Sequence, residues 1–376
     1  MRPFFMTFLL LFSHAAFSID WGVKGQVSGW ITNNFADMNN TQIGLRYIPE
    51  ASLSQDLSDK SLIDAELSLN TFSSYDFKTK SGESNLATYR VWLRYSASQF
   101  EARIGLQQIK FAPAMILRPL MWFDQLDPRD PLQLTNGVTG ALLRYYFLNN
   151  ANVWLWGLMS NGERKGLEIM PTVDNSFEYG GRFQYPLGTG EIALTYHHRQ
   201  ADPNPLLKGW LTVTLDPLPE NRYALDGKWD IGIGLWFESA LIHKDIDYYP
   251  ANYQKYLTIG ADYTFGLGNG VHVLGEHLFM NVAKDWHETN GRTEFTAILA
   301  DYSVTLWDVL MGIVYYNWET NESYQFLTWR RTFDNWSFNV ALYWNPETPS
   351  MAGLSPSETN TFGLGKGFQF MVIYNH

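Results

Sequence analysis

The C-terminus of the chain reads Phe368-Gln369-Phe370-Met371-Val372-Ile373-Tyr374-Asn375-His376. Large apolar or aromatic side chains occupy every second position of this stretch. Because successive side chains of a β-strand point to opposite sides, the alternation predicts a strand with two different faces. A soluble protein can end in such a strand too, so its meaning depends on whether the rest of the chain alternates in the same way.

Residues 1–18 have the form of an export signal. Arg2 precedes an apolar stretch from Phe4 to Phe12, and Ala16-Phe17-Ser18 provides the small residues that signal peptidase reads. We therefore expect residues 1–18 to be a signal peptide and the mature chain to start near Ile19. The apolar stretch is too short to cross a bilayer as a helix, which takes about 20 residues.

The composition separates this chain from most soluble proteins. Aromatic residues make up 16% of it and charged residues 17%, whereas about a quarter of a typical soluble domain is charged. A membrane barrel combines these features, because its outward side chains are apolar and its inward ones polar. The net charge of −11 argues against nucleic acid as a partner, and the absence of Cys excludes disulfides. A secreted β-sandwich or propeller is the alternative.

Alternating residues predict about eighteen strands of about ten residues each in an antiparallel transmembrane β-barrel, with about sixteen strands as the alternative count. The connections alternate in length. Short connections are predicted at residues 57–60, 96–98, 149–150, 187–190, 230–232, 266–270, 306–308 and 334–335. Long connections are predicted at residues 33–40, 73–84, 110–135, 161–176, 201–221, 245–252, 282–291 and 346–360, with a short exception at 319–322. This asymmetry is typical of outer-membrane barrels.

The two faces of the predicted strands differ in chemistry. From Ala87 to Tyr95 the outward residues would be Ala87, Tyr89, Val91, Leu93 and Tyr95, and the inward ones Thr88, Arg90, Trp92 and Arg94. Several later strands, above all residues 309–318, are apolar on both faces, which indicates packing against an internal loop or a partner. Residues 209–215 could be a further strand or part of a loop. Residues 19–376 are expected to form one barrel domain, wide enough for an aqueous channel.

The third long loop, residues 110–135, is too apolar for a loop in water. Its position in the strand order resembles that of the general porins, whose third extracellular loop folds into the lumen and narrows it. The resemblance implies an inward loop with these candidate constriction residues: Arg118, Asp124, Asp127, Arg129 and Asp130. The alternative is an inert hydrophobic plug, in which the Asp-Pro pairs only form turns.

Charged residues recur at positions predicted to face the interior. The basic ones are Arg90, Arg94, Arg103 and Arg144, with Arg182 and Arg199 farther around the barrel. The acidic ones are Asp64, Glu66, Glu101, Glu178, Glu191, Asp226 and Glu238. A basic wall facing an acidic one would select anionic or zwitterionic solutes, because Arg stays charged and offers a planar fork of donors. The alternative is that these residues pair with one another and brace the barrel.

From about Trp21 to His376 the sequence resembles the large porin-like outer-membrane β-barrels of Gram-negative bacteria. The export signal, the alternating loop lengths, the third loop and the terminal strand carry this resemblance. It implies export through the periplasm to the cell outer membrane, contact with outer-membrane lipid, and recognition of the C-terminal strand by the barrel assembly machinery. Assembly into a homotrimer is left open. His376 departs from the pattern, because the family usually ends in Phe or Trp.

The leading hypothesis for function is a porin, a passive or mildly selective channel for small hydrophilic and mainly charged solutes, with no cofactor or metal. The second is an occluded barrel that serves as a scaffold or export portal for a protein or polysaccharide partner. An enzyme is not expected. The chain lacks a Gly-x-Ser-x-Gly elbow, a Cys nucleophile and a His-Glu-x-x-His motif, and His272 with Glu276, or His287 with Glu288, lacks a third partner.

Overall fold

The computed structural model describes residues 19–35, 37–207, 214–245, 252–289, 291–347, 363 and 365–376. Eighteen strands in these ranges form a single antiparallel sheet. The first nine are β1 (Ile19–Asn34), β2 (Asp37–Ser58), β3 (Ser61–Asp76), β4 (Ser81–Ala97), β5 (Phe100–Gln107), β6 (Val138–Tyr146), β7 (Asn152–Met159), β8 (Phe177–Leu187) and β9 (Gly190–Ala201). After a short helix, α1 (Asn204–Leu207), come β10 (Leu218–Asp230), β11 (Gly234–Lys244), β12 (Tyr253–Phe265), β13 (Val271–Ala283), β14 (Arg292–Ser303), β15 (Asp308–Asn317), β16 (Glu322–Phe333), β17 (Trp336–Trp344) and β18 (Lys366–Asn375).

The sheet closes into a barrel. Each strand pairs with its neighbours in the sequence, and β1 also pairs with β18 from Gln26 opposite Asn375 to Asn34 opposite Gly367. Beyond the last strand residue, the backbones of Gly25 and His376 exchange two hydrogen bonds of 2.9 Å. This closure leaves no open sheet edge in the described strands and confirms the predicted barrel with eighteen strands rather than sixteen.

The strands are apolar on the outside. Exposed outward side chains include Leu67, Leu93, Ile104, Leu155, Leu194 and Ile298, which suits contact with lipid. Within the described residues, no helix is long and apolar enough to cross a membrane. Because the strand number is even, the start of β1 and the end of β18 lie at the same end of the barrel, together with the short turns. We call this the periplasmic end, following the loop-length rule.

Two predicted long loops are wrong. Residues 33–34, 37–40, 73–76 and 81–84 belong to strands, and among the described residues only Phe35 and residues 77–80 lie between these strands. Register pairs such as Thr41 with Asn33 and Asp76 with Ser81 show that backbone pairing persists through these polar stretches. Pairing of backbone groups does not require apolar side chains, so a strand that extends beyond the lipid has no alternation to reveal it.

One predicted face is also wrong. A β-bulge at Tyr89 shifts the register so that Arg90 pairs with inward Ser68, while Thr88 pairs with outward Leu69. Thr88 therefore faces outward, and Ala87, opposite Asn70, faces inward, because directly paired residues lie on the same face. Most of the predicted segment 209–215, and the central parts of the predicted loops 245–252 and 346–360, lie outside the described residues, as does the predicted signal peptide.

Candidate functional site in the barrel interior

The loop between β5 and β6 crosses the barrel interior. The backbone N–H groups of Met115, Ile116 and Leu117 donate to the Glu276 carboxylate on β13 over 2.7, 3.0 and 2.6 Å. Those of Ala114 and Leu120 donate to Glu238 on β11 over 2.7 and 3.3 Å. Both carboxylates face inward on strands far around the barrel from β5. The loop therefore lies inside the lumen and is bound to the opposite wall.

The apolar side chains of this loop form a core with inward side chains of β6, β7 and β10 to β17, most of which lie on β11 to β16. Loop residues in this core include Phe111, Ile116, Leu117, Leu120, Trp122 and Phe123. Wall residues include Trp236, Tyr256, Leu278, Phe295, Ile313, Tyr315 and Phe326. The sequence left open whether the apolar residues 309–318 pack against an internal loop or against a partner, and the structure shows that they pack against the loop. Ile313 and Tyr315 on β15 are 1% exposed, because the internal loop covers the wall here.

Most of the predicted constriction residues of the loop are engaged with each other or with the loop backbone. Arg118 donates to Asp124 over 2.6 and 3.0 Å, and both side chains are buried. Arg129 pairs with Asp127 and lies over the Phe326 ring. Asp130 accepts the N–H groups of Leu132 and Leu134, and burial raises the pKa of its carboxyl group.

The loop returns along the remaining wall. Leu132 packs against Trp30 of β1 and against Met371 and Ile373 of β18. The Arg90 guanidinium on β4 donates to the Thr135 carbonyl over 2.9 Å, and the Arg90 side chain is buried. Arg90 is thus a buried contact of the loop end, whereas Arg94, Arg103 and Arg144 are partly exposed.

A second loop, between β7 and β8, also enters the barrel. Its Glu168 accepts from Arg222 over 2.7 Å and lies 3.3 Å from Arg199. Glu220 on β10 in turn contacts Arg199, Arg222 and Lys244 over 2.6, 2.8 and 2.9 Å. Sequence reasoning placed Arg199 inward but missed the other members of this buried network. Glu220 and Arg222 alternate as inward residues of a strand do, and this pattern could have predicted the network. The predicted loop was extended to residue 221, so the pattern was not recognised as part of a strand.

Five predicted residues form a water-accessible charged wall on β3 to β6, near the periplasmic end. We use the name charged wall for Asp64, Arg94, Glu101, Arg103 and Arg144. Arg94 donates to Asp64 over 2.9 and 2.6 Å, while Glu101 accepts from Arg103 over 3.3 Å and from Arg144 over 3.4 Å. Their side chains are 12–29% exposed. Three guanidinium groups therefore share two carboxylates.

The arginines of the charged wall are stacked but incompletely hydrogen-bonded. Arg103 lies over the Trp92 ring at 4.8 Å and Arg144 over the Trp154 ring at 3.8 Å. The Nε atoms of Arg103 and Arg144 are buried and have no hydrogen-bond partner in the described residues. Glu66, another predicted lumen carboxylate, accepts from Ser68 over 3.3 Å beside this wall. The aromatic rings fix the orientation of the guanidinium groups and leave part of their donor capacity unused.

His272 and Glu276, considered above as a possible catalytic or metal-binding pair, have different partners in the structure. Glu276 binds the loop, as described above, and its Oε1 also accepts from Trp236 Nε1 over 3.0 Å. His272 instead lies between Asp301 and Asp262, at 2.7 and 3.2 Å. Both carboxylates face the same imidazole from opposite sides, so the group has neither a nucleophile nor a convergent set of ligands.

No family model matches the sequence, and no curated protein is similar to it. Solved structures do share its fold. OccD3 of Pseudomonas aeruginosa aligns with a TM-score of 0.60 and 10% identity, over 94% of this chain and 91% of that one. OccK5 of the same organism aligns with a TM-score of 0.55 and 12% identity, over 95% and 97% of the two chains. OccAB1 of Acinetobacter baumannii gives 0.55 and 9%, over 95% of each chain.

At these identities the similarity concerns the fold. The closed barrel and its apolar outer face agree with that similarity. A closed barrel of this kind satisfies all strand backbone groups internally, which a bilayer requires. The chain accordingly forms a closed transmembrane β-barrel with the fold of the Gram-negative porins.

Proposed function

We propose that this barrel is a channel for small hydrophilic solutes, and that it prefers anionic or zwitterionic ones. The observation that carries the proposal is the charged wall, in which three arginines share two carboxylates within reach of water. A carboxylate or phosphate group of a solute accepts hydrogen bonds from the water-exposed parts of these guanidinium groups. The field of such a wall raises the local concentration of anions and lowers that of cations.

In this proposal the internal loop narrows the lumen and leaves a path along the charged wall. Its apolar core covers β11 to β16, while the charged wall on β3 to β6 stays in contact with water. Asp64, Glu101, Arg94, Arg103 and Arg144 line the solute path. Arg90, Arg118, Asp124, Asp127, Arg129 and Asp130 hold the loop in its position, and Glu66 borders the path. The predicted constriction thus divides into residues that meet the solute and residues that shape the loop.

A second candidate is a barrel that the loop closes until a partner displaces it. The anchors of the loop favour this candidate, because they lie on widely separated strands. Glu238 and Glu276 hold residues 114–120, Leu132 packs beside β1 and β18, and Arg90 binds Thr135. A loop fixed at so many points obstructs diffusion more than a loop attached along one edge.

The test is conductance of the refolded protein in a planar bilayer, with and without Arg94→Gln, Arg103→Gln and Arg144→Gln combined. Stable steps are expected for the wild type, with an anion preference that falls in the triple variant. A matched control removes three positive charges from the outward face, at Lys255, Arg292 and Arg331, and should keep the anion preference. Equal preference in all three proteins would refute the selectivity proposal. If the wild type shows no conductance and conductance steps appear only after the loop is released, the closed barrel would be favoured.

Assembly into a homotrimer and recognition of the C-terminal strand by the assembly machinery stay predictions. The mass of the refolded protein in detergent, measured by light scattering, tests the first. Yield in the outer membrane after His376→Phe tests whether the unusual terminal residue matters for the second. His376 stacks on Tyr47 and Tyr374 at 5.9 and 6.1 Å, so a Phe fits the same place.

A further inference from the structure

A small pocket lies between the second half of the internal loop and the wall formed by β15 to β17. Its volume is about 90 Å³. Apolar surface comes from Pro128 and Pro131 of the loop and from Val309 and Met311 of β15. The wall residues lie close to the periplasmic ends of their strands, so the pocket faces the same side of the loop as the charged wall.

Two polar side chains in this pocket lack protein partners. Asn339 on β17 is 2% exposed, and its Nδ2 has no hydrogen-bond partner in the described residues. A buried amide donor normally has one, because leaving it unpaired is unfavourable. Its register partner on β16 is Arg330, which therefore points to the same face. Arg330 is exposed, and no ion pair or hydrogen bond of its side chain occurs among the described residues.

The acidic groups nearby are already engaged. Asp127 pairs with Arg129, and the two oxygens of Asp130 accept the backbone N–H groups of Leu132 and Leu134. The next arginine along β16, Arg331, points outward and lies 3.7 Å from Asp308. Among the described residues, Arg330 is thus an inward cation without a counter-ion, beside a buried donor without an acceptor.

We infer that this pocket binds the carboxylate of a small solute that carries a short apolar chain. The carboxylate accepts from the Arg330 guanidinium and from Asn339 Nδ2, and the chain packs against Met311, Val309 and the two prolines. A carboxylate has enough lone pairs to satisfy both donors at once. The inference rests on the proposed function in one respect, namely that the solute reaches the pocket through the lumen.

The test is calorimetric titration of the refolded protein in detergent with butyrate, and with butyramide as a neutral probe of similar shape. One saturable site is expected for butyrate and none for butyramide. Arg330→Gln and Asn339→Leu should each weaken butyrate binding at least about tenfold, the change that 1.4 kcal/mol produces. Arg331→Gln, which removes the same charge one residue away on the outward face, should bind butyrate as the wild type does.

Absence of a butyrate site in the wild type would overturn the inference, and so would retention of binding in either pocket variant. Equal binding of butyramide would overturn the role of the carboxylate. Heat-modifiable migration on gels shows whether each variant is folded. The proposed channel has its own readout, since conductance selectivity depends on the charged wall on β3 to β6. A selective channel without a butyrate site refutes the pocket alone, and a butyrate site in a non-conducting barrel refutes the channel alone.

Discussion

The two sides of the barrel interior differ in the chemistry of their inward side chains and in what covers them. On β11 to β16 the inward residues are mostly apolar and are covered by the internal loop, whose core includes Phe123 and Trp122. On β3 to β6 they are charged, paired at 2.6–3.4 Å, and reached by water. One wall therefore resembles the interior of a soluble protein, while the other resembles a protein surface turned inward.

This difference shows how a wide barrel can hold a narrow path without a separate domain. Apolar residues on both faces of a strand expose surface to water unless something covers the inner face, and burial of that surface contributes about 25 cal/mol per Å². The loop supplies the cover, and its backbone donors are satisfied by Glu238 and Glu276. The charged wall needs no cover, because its groups are satisfied by each other and by water.

The largest expected effect comes from releasing the covered wall. Glu276→Leu removes a carboxylate that accepts three loop N–H groups and Trp236 Nε1. Hydrogen bonds to a charged group contribute about 1.5–3 kcal/mol each, so the docked loop should lose on the order of 5 kcal/mol. We expect a larger single-channel conductance with more frequent switching in planar bilayers. Glu83→Leu, at an exposed site near the β3–β4 turn, is the matched control and should leave conductance unchanged. Unchanged conductance in both variants would mean that the loop is not held by this carboxylate.

A somewhat smaller effect should follow from breaking the buried pair inside the loop. Asp124→Ala leaves the Arg118 guanidinium buried without its partner, a change that costs about 3 kcal/mol. Hydrogen exchange of residues 116–124, followed by mass spectrometry, should become faster. Arg118→Met combined with Asp124→Leu should restore slow exchange, because a well-packed apolar pair replaces a buried ion pair at little cost. Equally fast exchange in the double variant would show that the pair itself specifies the loop conformation.

The charged wall can be changed without touching the covered wall. Glu101→Gln leaves three arginines beside Asp64 alone, so the anion-to-cation permeability ratio should rise. An increase of about threefold to fivefold corresponds to roughly 1 kcal/mol for one charge at contact distance in water. Arg144→Gln should move the ratio in the opposite direction. Reversal potentials in a salt gradient measure both, and equal ratios in the two variants would contradict a solute path along this wall.

The smallest effect concerns pH. Burial raises the pKa of Asp130 in the docked loop above the ordinary aspartate value of about 3.9. A carboxyl group whose pKa is raised in the docked loop stabilises docking fully when the pH is below its ordinary pKa. This stabilisation is lost as the pH rises from the ordinary pKa through the raised pKa. Loop hydrogen exchange in the wild type should therefore accelerate across that interval relative to Asp130→Asn. Parallel profiles for the two proteins would show that Asp130 does not couple protonation to docking.

Sequence reasoning was most successful where the bilayer restricts the choice of side chain. The strand number, the outward residues from Val91 to Tyr95 and the inward positions of Arg94, Arg103 and Arg144 followed from alternation alone. It failed where that restriction ends, as at residues 37–40, 73–76 and 81–84, where the strands continue beyond the lipid. It also failed at the Tyr89 bulge, because one inserted residue reverses the faces and leaves no mark in the composition.

The sequence by itself determined that this chain is an outer-membrane barrel with a mixed interior and an unusual third loop. These properties are local, since the alternation of inward and outward side chains in a strand depends only on the residues of that strand. Only the tertiary structure decided which charges meet. Arg118 pairs with Asp124, Arg90 binds the end of the loop, and Arg330 lines a pocket with Asn339, whose Nδ2 has no hydrogen-bond partner among the described residues. Such pairings depend on strand register and on the path of a loop across the lumen, and both arise only when the sheet closes.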